Sequence, residues 1–217
     1  MIKAVLFDFD GTLADTSESI ILGFQYVFDR HAPNLKTDKK FFQSILGPSL
    51  KEIFPIYFPG QDIDAIIQEY RDACRPYHNA EHTYLYPHAS ETLDELHKMG
   101  IKVCIFTSRS RESAHNLLEM LGILNKVDYF IGYEDVEKAK PDPDGIHKVL
   151  KHFNYKPEDI IMVGDHGHDI NAAKAAGTIG IGVSYSFYGA ERLHNDGAFA
   201  IVDDLYEIVD IIKKIQG

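Results

Sequence analysis

Two aspartates, Asp8 and Asp10, stand one residue apart in the segment DFDGT near the start of the chain. The apolar run over residues 2–9 predicts a buried strand, so the pair lies at its carboxyl end. Two such carboxylates can divide a reaction, one attacking phosphorus while the other donates and accepts a proton. Gly11 permits close backbone approach to an oxyanion. An acidic turn without chemistry is the alternative interpretation.

A second acidic cluster, GDHGHD, follows the apolar run over residues 160–163 and contains Asp165 and Asp169. Aspartates on a loop at a strand end are good oxygen ligands for a hard divalent cation. Asp169 would also suit a helix N-terminus, and both roles can hold together. His166 and His168 are expected to be ordinary loop residues, because a hard cation prefers oxygen, and contact with substrate stays open.

Thr107 and Lys140 can complete a phosphate site. Thr107 closes the apolar run over residues 102–106 and offers a hydroxyl donor. Lys140 precedes the segment PDP, which disfavours a helix there and predicts a fixed loop. A lysine is a compact charge for phosphate oxygens. Taken singly, each is more typical of an ordinary surface residue.

Five short apolar runs set the expected fold, and amphipathic stretches lie between them. Continuous apolar runs are typical of strands buried on both faces of a parallel sheet. Their alternation with helical patterns predicts a doubly wound, Rossmann-like α/β core, which binds ligands at the carboxyl ends of its strands. The runs cover residues 2–9, 102–107, 129–133, 160–163 and 178–183. An aromatic segment over residues 185–188 is expected to pack against a C-terminal helix rather than to line the cleft.

One region interrupts this alternation. Residues 16–82 contain no convincing buried strand, and their apolar spacing predicts helices separated by proline and glycine. The predicted organisation is therefore an α/β core of residues 1–15 and 83–217 with an all-helical inserted domain of residues 16–82. The helical patterns cover residues 18–30, 39–46, 49–54 and 62–77.

The bulk composition limits the partners. The chain has 217 residues and a formal net charge of −11, which disfavours nucleic acid and anionic membranes. An anionic substrate remains compatible, because a metal and buried cations can reverse the local field. Two cysteines give no disulfide framework, and no targeting or membrane-spanning pattern is present. We expect a cytoplasmic monomer or weak homodimer.

Four motifs in this order resemble those of the haloacid dehalogenase superfamily. They are DxDGT at Asp8, a Ser or Thr at the end of a later strand (Thr107), a lysine (Lys140, in KPDP), and GDxxxD over residues 164–169. The helical insert after the first motif is similar to the family's helical cap. The resemblance covers nearly the whole chain.

The resemblance implies a mechanism. Asp8 would form an aspartyl-phosphate, while Asp10 would protonate the leaving oxygen and then deprotonate water. Mg²⁺ would be held by Asp8, the main-chain carbonyl of Asp10 and Asp165, with Asp169 ordering metal-bound water or the loop.

The resemblance also implies how the phosphoryl oxygens are held. Thr107 and Lys140 would bind them, assisted by N–H groups near Gly11 and Ser108. This arrangement is mainly positioning and charge stabilisation, which phosphoryl transfer requires.

Family comparisons narrow the expected reaction. The dehalogenases of the family do not keep an aspartate at the position of Asp10. The mutase branch usually has histidine where this chain has Ile20. Hydrolysis of a phosphate is therefore favoured over dehalogenase and mutase chemistry. The first expectation is hydrolysis of a small phosphate monoester, similar to phosphoglycolate phosphatase. Ser108 and Arg109 depart from the Asn and Lys common in that branch.

Features of the insert support an alternative, an inorganic pyrophosphatase. Residues 46–50 (LGPSL), Tyr70-Arg71 and His78 resemble a bacterial pyrophosphatase branch. Gly47 would let the backbone approach the cleft, and Arg71 would clamp a second anionic group. Both are therefore predicted substrate-binding residues.

Two hypotheses without phosphatase activity remain. A response-regulator receiver domain also combines aspartates, threonine and lysine, but its acidic pair and phosphorylated aspartate lie on different strands. It also lacks a large helical insert. A catalytically silent phosphate-binding protein on the same fold would be expected to lose a motif acid, yet all four aspartates are present.

Overall fold

The computed structural model describes residues 1–217, which form two compact units. The first unit combines Met1–Ala14 with Leu85–Gly217, and the second is Asp15–Tyr84. The strands are β1 (Ala4–Phe7), β2 (Ala14–Asp15), β3 (Tyr84–Leu85), β4 (Lys102–Phe106), β5 (Tyr129–Ile131), β6 (Ile160–Gly164), β7 (Ile179–Val183) and β8 (Ala200–Val202). The helices are α1 (Ser17–His31), α2 (Lys39–Ser44), α3 (Leu50–Tyr57), α4 (Ile63–Cys74), α5 (Ala89–Lys98), α6 (Arg111–Met120), α7 (Asp144–Phe153), α8 (Gly167–Ala176), α9 (Ala190–Asp196) and α10 (Glu207–Gln216).

The first unit is built on a six-stranded sheet with the order β5-β4-β1-β6-β7-β8. All of its strand pairs are parallel, and β1 lies between β4 and β6. The chain therefore leaves β1 in one direction along the sheet and later returns to its other side, which creates the switch point where such sheets bind ligands. The predicted α/β class and parallel sheet are confirmed.

The strands are continuously apolar because helices cover both faces of the sheet. In β1 all four residues are buried, and alternate side chains enter different cores. Val5 and Phe7 pack in the core that includes residues of α5, α6 and α10. Ala4 and Leu6 pack in the core that includes residues of α7 and α8. The central position of β1 holds the following acidic loop rigidly.

Several predicted boundaries differ from the structure. The run 129–133 is a strand only to Ile131, and a 3-10 turn follows at Tyr133–Asp135. Helix α3 continues through Pro55 to Tyr57, because loss of one backbone donor in a short helix is offset by burial of its apolar face. The sequence patterns do not single out β8, α7 or α9, and β8 is only three residues long, two of them partly buried.

The second unit contains α1 to α4 around an aromatic core. Phe28 is central, with ring centroids 5.4 Å from Phe42 and 4.9 Å from Phe58. Helix α1 packs closely on α4 at Gly23, where a Cβ would overlap Cys74 Sγ and approach the Tyr70 ring. A glycine inside this helix is thus explained by packing. None of the ten helices combines the length and apolar character that crossing a bilayer requires.

Candidate active site

The first acidic loop grows directly out of the sheet. The Asp8 N–H donates to Val163 O at 2.8 Å, so the β1–β6 pairing extends to this residue. A tight turn follows, in which Phe9 O accepts from the amides of Leu13 and Ala14 at 3.0 and 3.1 Å. The backbone therefore fixes Asp8 at the carboxyl end of β1 and turns away immediately after it.

Three buried or partly buried carboxylates meet at this edge. Asp8, Asp165 and Asp169 each offer one oxygen, and these atoms lie within 4.8 Å of one another. Burial, reinforced by the neighbouring carboxylates but opposed by Lys140, raises the pKa of Asp8 to about 7. Burial and the charges of Asp8 and Asp169 also raise the pKa of Asp165. The cluster is thus short of positive charge.

Gly11 has a structural reason to be glycine. Its φ is +77°, in the left-handed region, and a Cβ there would overlap the Asp165 carboxylate. The close neighbour of Gly11 is therefore a carboxylate of the second acidic loop. Its expected role beside an oxyanion stays a prediction.

Lys140 supplies the charge that these acids lack. The residue is only 4% exposed, and its Nζ lies 3.0 Å from Asp8 Oδ1 and 2.7 Å from Asp169 Oδ1. It also donates to Phe106 O at 3.0 Å. Burial alone would lower the pKa of Lys140, but Asp169 and Asp8 together raise it above its ordinary value. The side chain is thus held as an ammonium group.

Asp169 organises the second acidic loop as well as pairing with Lys140. Its Oδ2 accepts from the His166 N–H at 3.1 Å, and His166 Nδ1 accepts from the His168 N–H at 3.1 Å. These bonds close the N-terminus of α8. Burial, followed by the charge of His168, lowers the pKa of His166 to about 4, so its ring is neutral at pH 7. The structure gives His166 a helix-capping role.

Thr107 lies at the end of β4, where it is almost fully buried. Its N–H donates to Ile131 O at 3.0 Å, and its Oγ1 accepts from the Arg109 N–H at 3.1 Å. A hydroxyl is both a donor and an acceptor, so Thr107 keeps its proton available for another group. Ser108, the next residue, is partly exposed.

Arg109 is a site residue whose role does not follow from the sequence motifs. Its Nη2 donates to Asp10 Oδ1 at 2.5 Å, and its Nε lies 3.1 Å from both Asp10 oxygens. Nη1 donates to Ser113 Oγ at 3.0 Å, and the Arg109 side chain is 11% exposed. The signal in the sequence is the arginine at a position where the phosphoglycolate phosphatase branch commonly has lysine. The arginine alone does not reveal its partner, Asp10, which is 99 residues away in the chain.

A third loop, after β7, supports both acidic loops. Tyr185 OH donates to Thr12 O at 2.7 Å, and Ser186 Oγ donates to Asp165 O at 3.2 Å. The Tyr185 ring also packs against the Tyr86 ring, with centroids 4.2 Å apart and the planes tilted by 40°. The aromatic segment therefore does more than the packing expected of it, because it fixes backbone carbonyls of the site.

The first unit brings together all the predicted site residues except two. Gly47 and Arg71 belong to the second unit, where Gly47 has a φ of +111° between α2 and α3 and Arg71 is a partly exposed residue of α4. Their role in binding substrate stays a prediction.

The acid cluster fits a hard divalent cation. All its donors are carboxylate oxygens, and Asp8 Oδ1 is buried without a hydrogen bond of good geometry although Lys140 lies near it. Such a donor set suits Mg²⁺ better than softer transition metals.

Comparisons with known proteins agree with this site. The family model described as haloacid dehalogenase-like hydrolase matches residues 5–183. Pyrophosphatase PpaX of Anoxybacillus flavithermus is 34% identical over 98% of this chain and 99% of its own. Pyrophosphatase PpaX of Halalkalibacterium halodurans is 32% identical over 97% of both chains.

Solved structures give the same result. A protein from Bacteroides fragilis described as a haloacid dehalogenase-like hydrolase superposes with a TM-score of 0.88 at 29% identity, covering 96% of this chain and 100% of that one. A haloacid dehalogenase-like family hydrolase from Streptococcus pneumoniae gives 0.85 at 26% identity, covering 97% and 98%. The chain therefore belongs to the haloacid dehalogenase-like hydrolase family, and it is a phosphatase of that family.

Proposed function

We propose that this phosphatase is an inorganic pyrophosphatase that works through an aspartyl-phosphate on Asp8. The observation that carries the choice of substrate is full-length similarity to proteins named pyrophosphatase, at 34% and 32% identity. This support favours the pyrophosphatase alternative over the phosphoglycolate-like monoesterase that the sequence motifs first suggest.

The proposed reaction has two displacements at phosphorus. A carboxylate oxygen of Asp8 forms a bond to one phosphorus of pyrophosphate, the bridging P–O bond breaks, and Asp10 donates a proton to the leaving phosphate. A water molecule then attacks the phosphorus of the aspartyl-phosphate, Asp10 accepts its proton, and the bond to Asp8 breaks. Thr107 and Lys140 hold the oxygens of the transferred group throughout, a role supported by the contact of Lys140 with Asp8 and by the position of buried Thr107 at the end of β4.

Mg²⁺ is the proposed cofactor. Asp8, Asp165 and the main-chain carbonyl of Asp10 would hold it, with Asp169 ordering the loop, and the ion would supply charge neutralisation for the phosphoryl oxygens. In the second unit, Gly47 and Arg71 are proposed to contribute to substrate binding.

Steady-state kinetics test the proposal. With Mg²⁺ present, kcat/KM should be higher for pyrophosphate than for phosphoglycolate or an aryl phosphate. Asp8→Asn should abolish turnover of all three, since an amide is a poor nucleophile, whereas Asp210→Asn, at an exposed position of α10, should not. A higher kcat/KM for phosphoglycolate would restore the monoesterase as the better proposal.

A further inference from the structure

We infer that Arg109 determines substrate specificity by binding the phosphate that leaves, an inference that rests on the proposed pyrophosphatase reaction. The starting observation is the guanidinium fork, which engages both carboxylate oxygens of Asp10 and the hydroxyl of Ser113. Four contacts therefore define where this cation stands. It is also largely buried, so solvent screens it only weakly.

The position of Asp10 connects Arg109 to the leaving group. In the proposed reaction Asp10 exchanges protons with oxygens at the reacting phosphorus, which requires hydrogen-bond reach of about 3 Å. Arg109 contacts both oxygens of Asp10. A leaving group that is hydrogen-bonded to Asp10 is therefore separated from the guanidinium by about the length of one more hydrogen bond. A phosphate there can share the fork with Asp10, since guanidinium geometry suits carboxylate and phosphate alike.

Charge balance explains why this matters for pyrophosphate. The site edge carries four carboxylates, those of Asp8, Asp10, Asp165 and Asp169. Lys140 is committed to Asp8 and Asp169, so it serves the side of the transferred group. Arg109 is the cation on the side of Asp10. A leaving phosphate needs such a charge, whereas a neutral alcohol or phenol gains little from it.

The neighbouring arginine, Arg111 at the start of α6, does not take the same role. Arg111 pairs with Asp135 at 2.6 Å and is 54% exposed. Its backbone N–H also donates to Glu134 at 2.8 Å. These contacts anchor the start of α6 to the turn after β5, and they leave Arg109 as the arginine next to the acid pair.

The test compares substrates with charged and neutral leaving groups in the holoenzyme. Arg109→Met should lower the ratio of kcat/KM for pyrophosphate to that for phenyl phosphate by roughly 10- to 100-fold, the loss expected for charged hydrogen bonds. Arg109→Lys, which keeps the charge without the fork, should recover part of that ratio. Arg75→Met removes an exposed arginine of the second unit and should leave the ratio unchanged.

An unchanged ratio in Arg109→Met, with equal losses on both substrates, would overturn the inference and make Arg109 a positioning residue for Asp10. Failure of the wild type on pyrophosphate would instead reject the proposed function. In that case the same ratio of kcat/KM is measured for phosphoglycolate and ethyl phosphate, because only phosphoglycolate has a charged leaving group. Equal losses on that pair would again overturn the role of Arg109.

Discussion

A single buried lysine balances the acids at the centre of this site. Lys140 contacts Asp8 and Asp169 and is almost fully excluded from water. Removing one partner of such a buried set leaves charge without compensation, which is far more costly than losing an exposed ion pair. The same side chain is therefore needed both for folding stability and for holding phosphate.

We predict that Lys140→Met lowers the free energy of unfolding of the metal-free protein by about 3–5 kcal/mol. It should also reduce kcat by about 10²-fold or more, because a fixed charge on the transferred group is lost. Urea unfolding and phosphate release measure the two effects. Lys138→Met is a matched control, since that side chain is 76% exposed. A variant as stable as the wild type would contradict the assigned charge balance.

At the same scale, candidate site residues can be picked out from the sequence, but their partners in the folded chain cannot. Asp8, Thr107, Lys140 and Asp165 are recognisable because each follows an apolar run or precedes a proline. The partner of Arg109 is not, because it depends on which strands become neighbours. Register between β1 and β4 brings Asp10 and Arg109 together, and local spacing carries no information about it.

Among the elements, the buried strands that carry the site at their ends are the ones most readily predicted from the sequence. Buried parallel strands are predictable because both faces require apolar residues, and β1, β4 and β6 follow this rule. The short edge strand β8 lacks that signal, since two of its three residues are only partly buried. The sequence also does not predict that the loop after β7 supports the site, because Tyr185 and Ser186 donate to backbone carbonyls that are distant in the chain.

We predict that Tyr185→Phe weakens the site through the first acidic loop. Loss of the bond to Thr12 O should cost about 1 kcal/mol of unfolding free energy. It should lower kcat/KM by up to about 10-fold, as small displacements near a reacting group slow the reaction. Tyr206→Phe is the control, because Tyr206 is exposed. Wild-type kinetics in Tyr185→Phe would show that Thr12 O needs no such support.

Over the whole molecule, the acid cluster makes stability depend on pH and on metal. Burial, the largest cause, raises the pKa of Asp8 from 3.8 to about 7, and Asp165 shifts in the same direction. At pH values between about 4 and about 7, Asp8 keeps its proton in the folded protein but has lost it in the unfolded chain. Stability of the metal-free protein attributable to this cluster therefore falls as pH rises from about 4 to about 7.

A divalent cation should reverse this trend, because it binds the ionised carboxylates and the folded state only. We predict that Mg²⁺ raises Tm more at pH 8 than at pH 5, and that removing it with a chelator at pH 8 costs on the order of 2 kcal/mol. Asp8→Asn should shrink both the pH dependence and the gain from Mg²⁺, whereas Asp210→Asn should keep them. Thermal melts at the two pH values, with chelator and with Mg²⁺, separate these effects without using activity. A gain from Mg²⁺ that is equal at both pH values, or larger at pH 5, would mean that the cation does not bind through these carboxylates.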